Sequence, residues 1–143
     1  MREIIYHFDQ SAIIPYRKVD GNVEILLITS IRKKRWIIPK GFVEFNLSAF
    51  ESAKKEAFEE AGILGTNETM ELGSFTTHKY GGSTSVVVYS MEVEKFKEDY
   101  PEKNLRKRKW FTVDEAKEKV HFPEVGNMIV KLHEKLKTGL KGN

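Results

Sequence analysis

The chain has 143 residues, 40% hydrophobic and 31% charged, which is enough for one compact domain with a real core and short for two. It contains no cysteine, excluding a disulfide framework and a thiolate zinc site and suiting a reducing compartment. A formal net charge of +3 draws few anions by itself, so any such attraction must come from clusters such as RKKR (32 to 35) and RKRK (106 to 109), which read equally well as solvated loop charge.

The opening MREIIYHFDQ has acidic residues and no long apolar run, so it does not read as a secretory signal. No window approaches the roughly 18 apolar residues of a membrane span. A cytoplasmic protein without a membrane partner is expected. In chain order, strand patterns occur at SAIIPYR (11 to 17), VEILLITS (23 to 30) and RWIIP (35 to 39), separated by turns at VDGN and at the first basic cluster. A short loop after Pro39-Lys40-Gly41 then leads into a helix over 48 to 61. SAFE (48 to 51) opens that helix as a capping box, and Gly62 ends it, with Ile63 folding back on the apolar side. Strands over 71 to 80 and 84 to 94 form a hairpin through GGS, and KRKWFTV (107 to 113) is a sixth strand. Helices follow over 114 to 120 and after Pro123, where Val125, Ile129, Leu132 and Leu136 share one face, and the KTGLKGN end frays. No repeat or linker divides the chain. This order predicts an α/β sandwich rather than a regular βαβ series.

The first helix carries the chemistry. Phe50, Ala53, Ala57 and Ala61 form one stripe, and Glu56, Glu59 and Glu60 fall on the adjacent sector. These acids sit in the last two turns, where they oppose the helix dipole, and Glu56 and Glu60 stand four apart, where like charges repel. Small alanines let the stripe lie close to a sheet and bring the acids to the edge of the core. There they need protons or cations, and hard oxygen ligands select magnesium, manganese or calcium. The competing reading is an ordinary acidic helix face, with Lys55 placed four residues before Glu59.

The segment GFVEFNLSAFESAKKEAFEEAGI (41 to 63) resembles the Nudix box: G, five residues, E, seven residues, R-E, an apolar residue, any residue, E-E, any residue, G and an apolar residue. Gly41, Glu56, Glu59, Glu60, Gly62 and Ile63 match, with Ala57 at the first apolar position. Leu47 stands where the box has its first glutamate and Lys55 where it has arginine; Glu44 and Glu51 flank the vacancy, Glu51 with its capping role. Lysine keeps the charge without the planar fork that would hold carboxylates bidentately. The resemblance implies the Nudix α/β/α sandwich with a mixed β-sheet, as one domain over 1 to 143. It also implies a pyrophosphohydrolase that holds Mg2+ (or Mn2+) on Glu56, Glu59, Glu60 and the carbonyl of Gly41, with the same three glutamates catalytic.

SAIIPYR, EILLITS, RWIIPKG and RKWF are further similar to the branch that cleaves diadenosine polyphosphates and diphosphoinositol polyphosphates. A nucleoside diphosphate linked to another group is therefore the expected substrate, dinucleoside polyphosphates first, with Arg32, Lys40 and Arg106 on its phosphates. Hydrolysis of nucleoside triphosphates or RNA 5′ ends is an alternative, and so is a nucleotide-binding or regulatory module that does not cut. The general base stays open among Glu94, Glu98 and Glu102, as does the choice between monomer and homodimer. His7, His78, His121 and His133 lack metal-ligand spacing. Trp36 and Trp110 read as core or pocket wall, and Tyr16, Tyr80 or Trp36 could border a nucleotide pocket.

Overall fold

Ile25, Leu26, Leu27 and Ile28 follow one another in a single strand and are all completely buried, which requires cover on both faces of a sheet. The computed structural model describes residues 7–66, 70–79 and 81–141. Its elements are β1 (His7–Val19), β2 (Asn22–Thr29), β3 (Trp36–Ile37), β4 (Lys40–Phe42), α1 (Ala49–Ala61), β5 (Ile63–Gly65), β6 (Glu71–Lys79), β7 (Gly82–Phe96), β8 (Arg108–Thr112), α2 (Val113–Lys119) and α3 (Pro123–Lys141). The sheet runs β3-β2-β1-β7-β5, with β4 also paired to β1, β6 to β7 and β8 to β2. β1 and β7 are parallel, from His7 opposite Ser83 to Tyr16 opposite Glu92, and the other pairings are antiparallel. The sheet is therefore mixed.

Strand alternation divides the buried residues between two cores. Ile25 and Leu27 join Ala12, Ile14, Val86 and Val88 beneath Val125, Ile129 and Leu132 of α3. Leu26 and Ile28 join Ile13 beneath Ala53, Ala57 and Ala61 of α1. With α1 on one face and α2 and α3 on the other, the architecture is the α/β/α sandwich. Each fully buried Leu or Ile side chain stabilises it by about 1.5–3 kcal/mol.

Several boundaries differ from the sequence reading. The strand expected over 35 to 39 and ending in Pro-Lys-Gly splits into Trp36–Ile37 and a separate β4 over Lys40–Phe42. The reason lies in a second pairing partner for the start of β1, which joins Gln10 to Phe42, Ser11 to Gly41 and Ala12 to Lys40; β1 itself begins at His7, before its apolar pattern. β5 was also unanticipated; it pairs Ile63 with Phe96 because β7 extends past 94. Gly82 and Ser83 belong to β7 rather than to the turn, whose Gly81 takes a φ of 76°, while Tyr80 lies outside the described residues. α3 is helical to Lys141, through most of the segment expected to fray; residues 142 and 143 lie outside the described residues.

Candidate active site

Both ends of α1 are fixed. At the start, the Glu51 N–H donates to Ser48 Oγ (3.0 Å) and the Ser48 N–H to Glu51 Oε1 (3.1 Å), completing the capping box. At the other end Gly62 takes a left-handed φ of 69°, and a β-carbon there would overlap the Tyr100 ring. The last carbonyls are met by the segment between β7 and β8 and by the first residue of β8. Glu59 O accepts from the Glu102 N–H (3.0 Å), Gly62 O from the Lys97 N–H (2.8 Å) and Ala61 O from Arg108 Nη1 (2.8 Å). The last turn of α1 has no basic residue of its own, so Arg108 of β8 supplies the positive charge that the helix end favours.

These contacts assemble the acids. Glu60 is only 5% exposed and Glu56 is half-buried, and their carboxyl groups hydrogen-bond to each other. Gly41 brings its backbone against Glu56, so closely that an added β-carbon would overlap the carboxylate. Arg106 reaches in from the far side: Nη2 lies 3.9 Å from Glu60 Oε1, Nε donates to Glu102 Oε1 at 2.9 Å, and Nη1 donates to Thr29 O at 3.1 Å. Burial pushes Glu60 up to about 8, opposed by Arg106 and reinforced by Glu56 and Glu102. Glu56 is also raised, first by burial, and further by the negative charges of Glu59, Glu102 and Glu44, while its hydrogen bond with Glu60 works in the other direction. Without an added cation, this cluster keeps a proton.

The expected site residues fare differently. Glu56 and Glu60 are together, half-buried Glu59 lies close enough to repel Glu56, and Arg106 is in the cluster. Lys40 is half-buried on β4 beside Gly41, and Arg32 stands exposed on the turn after β2. Thr29 joins the root of that turn to Arg106, and its N–H donates to the Lys107 carbonyl at 3.0 Å while its hydroxyl accepts from the Lys107 N–H at 2.9 Å. Of the three acids left open as general base, Glu102 faces the cluster, whereas Glu94 and Glu98 are exposed. Tyr16 is buried in the core under α3, so it does not border a pocket. Trp36 packs edge-on against Phe111 at 5.0 Å, and Trp110 lies under the Arg17 guanidinium at 4.1 Å.

Sequence reasoning left Glu44 without a role. Here it grips Lys55, with Nζ 2.8 Å from Oε2 and 3.0 Å from Oε1. Their separation of eleven residues carries no periodic signal. Among the described residues, no three His, Asp or Glu side chains already stand in metal-binding geometry. The donor set nevertheless suits a hard cation: two mutually hydrogen-bonded carboxyls, a third close by, and a glycine backbone that leaves room beside them. The Ser11 hydroxyl, on the residue paired with Gly41, is buried without a hydrogen-bond partner among the described residues.

The sequence matches the NUDIX domain family over residues 8–132. The chain belongs to the Nudix family. Nudix hydrolase 17, mitochondrial, of Arabidopsis thaliana is 35% identical over 114 residues, 73% of this chain and 62% of that one. The diphosphoinositol polyphosphate phosphohydrolase 3-beta of Bos taurus is 35% identical over 96 residues, 65% of this chain and 57% of that one. The matched part of this Nudix chain thus spans less than two thirds of the length of these relatives. Among solved structures, a C. elegans Ap4A hydrolase superposes with a TM-score of 0.74 at 21% identity, covering 92% of this chain and 99% of that one. The NUDIX domain of Shewanella oneidensis NrtR, complexed with ADP ribose, gives a TM-score of 0.74 at 13% identity, covering 93% and 90%. At these identities the structures establish the fold. Several of the sequence relatives are mitochondrial, so the comparisons do not support the cytoplasmic expectation. Among the described residues no helix is long and apolar enough to cross a membrane.

Proposed function

We propose that this Nudix domain is a pyrophosphohydrolase dependent on Mg2+ or Mn2+. Its substrate is a nucleoside diphosphate linked to another group, with dinucleoside polyphosphates such as diadenosine tetraphosphate first. The observation that carries this reading is the adjoining carboxyl pair of buried Glu60 and half-buried Glu56, with Glu56 pressed against the Gly41 backbone. Such a pair stays costly until a cation replaces the proton. Divalent metals are generally used by Nudix enzymes, and Glu56, Glu59, Glu60 and the Gly41 carbonyl are the donors that would hold one here. When bound, the metal neutralises phosphate charge and acidifies water.

The chain's own side chains do the rest. Arg106, with Lys40 and Arg32, holds phosphate oxygens; the guanidinium fork of Arg106 suits them, and its link to Thr29 places it at the root of the basic turn. Glu102, oriented by Arg106 Nε, is the best placed of the three later acids to take a proton from the attacking water. The water oxygen bonds to one phosphorus, the bridging P–O bond breaks, and the second phosphate leaves with the electron pair.

Purified protein incubated with Mg2+ or Mn2+ and a panel of substrates tests this. Diadenosine tetraphosphate should be cleaved faster than nucleoside triphosphates or 5′-triphosphorylated RNA, and Glu60→Gln should abolish the difference from buffer. Equal product formation by the Glu60→Gln control removes the enzyme reading. Thermal stabilisation by nucleotide without products favours a binding module instead.

A further inference from the structure

We propose that Glu44 is a positioning residue whose task is to hold the Lys55 ammonium away from the carboxylates of the metal site. The inference rests on the metal-site reading above. Lys55 leaves α1 immediately before Glu56 and four residues before Glu59, the spacing at which a lysine and a glutamate on one helix meet. Its flexible stem carries a compact charge that follows the nearest anion. Unrestrained, it would lie on Glu56 or Glu59 and compete with any cation arriving there. Glu44 prevents this by offering both carboxylate oxygens, at 2.8 and 3.0 Å.

Glu44 is itself anchored to the helix. Its N–H donates to the Oγ of Ser52 at 2.9 Å, and Ser52 is completely buried; its carbonyl accepts from the Leu47 N–H at 3.1 Å. The segment from 41 to 48 therefore meets α1 at three successive points: Gly41 on Glu56, Glu44 on Ser52 and Lys55, and Ser48 on Glu51. Leu47, at the position where the Nudix box has an acid, offers lysine no acceptor, and the acid three residues upstream takes over. Both partners are substantially exposed, at 49% for Lys55 and 40% for Glu44, so the pair adds little to global stability and acts on where the charge sits.

Mn2+ affinity, read without substrate from the electron paramagnetic resonance of free Mn2+, is the test. Glu44→Gln should weaken binding about tenfold, the low end for loss of a group that orients metal ligands. The double variant Glu44→Gln, Lys55→Met should return to wild-type affinity or tighter, because the competing charge is gone, and Leu47→Glu alone should stay within twofold of wild type. A Glu44→Gln protein that binds Mn2+ like wild type, while Glu60→Gln does not, overturns this inference alone. Weak binding that Lys55→Met fails to rescue also overturns it, since Glu44 would then only shape the loop. A wild-type protein that takes up no Mn2+ overturns both this inference and the metal-site reading.

Discussion

The Glu56 carboxylate lies against the α-carbon of Gly41, leaving no room for a β-carbon between them. Gly41→Ala must therefore push the Glu56 side chain or strand β4 aside. Overpacking of this kind costs about 1–3 kcal/mol, and the displaced donor should lower Mn2+ affinity at least tenfold. Thermal unfolding and a metal titration on the same protein check both effects. Unchanged affinity would show that this contact does not position Glu56.

The pH dependence of stability follows from the buried acid. Burial pushes the Glu60 carboxyl up to about 8, from 4.5 in the open chain, so the folded state keeps a proton that the unfolded chain releases. Its stabilising contribution is full below about pH 4.5 and is lost as pH rises through about 8. Glu60→Gln, which needs no proton, should gain stability relative to wild type between pH 5 and 9 in metal-free buffer. Saturating Mn2+ should abolish that gain. Urea unfolding at several pH values measures it, and a wild-type-to-variant difference that is flat with pH would contradict the raised pKa.

Arg106 is predicted to serve both fold and site. Its side chain is 12% exposed, hydrogen-bonds to Glu102 and Thr29 and lies 3.9 Å from Glu60, and leaving buried charge without its partner costs about 3–5 kcal/mol. Arg106→Lys keeps the charge but cannot span all three acceptors, so it should raise KM for diadenosine tetraphosphate more than it lowers kcat. Steady-state kinetics separates the two; a change confined to kcat would move Arg106 from phosphate holding to the chemical step.

Glu102 should behave in the opposite way. As the acceptor of the water proton, Glu102→Gln should lower kcat by about 10²–10⁴ and leave Mn2+ affinity within a few-fold. A fall in affinity as large as the fall in kcat would make it a further metal donor.

Much of this site was legible in the sequence because helix geometry is local. The capping box at Ser48 and Glu51, the turn at Gly62 and the stripe of Ala53, Ala57 and Ala61 are all set by spacing within α1, and they put Glu56, Glu59 and Glu60 beside the buried stripe. What escaped depends on distant pairing. β4 forms because Lys40, Gly41 and Phe42 pair with Ala12, Ser11 and Gln10 of β1, a register that the apolar pattern of neither strand reveals. Glu44 finds Lys55 across a loop, and Glu102 was one of three equivalent acids until its N–H met the carbonyl of Glu59 and its side chain met Arg106. Tyr16 was misjudged for a related reason: alternation along a strand says which residues share a face, but not that α3 covers the face Tyr16 occupies.

Calorimetric titration of Mn2+ into the wild-type protein and Glu60→Gln, at pH 7.5 with and without a non-hydrolysable dinucleoside polyphosphate, tests the central claim most directly. Saturable uptake by the wild type, with release of protons and at least tenfold weaker uptake by Glu60→Gln, is the predicted result. Uptake that is identical in the two proteins, or absent from both even beside the bound nucleotide, would contradict the claim that these carboxylates form a divalent-cation site.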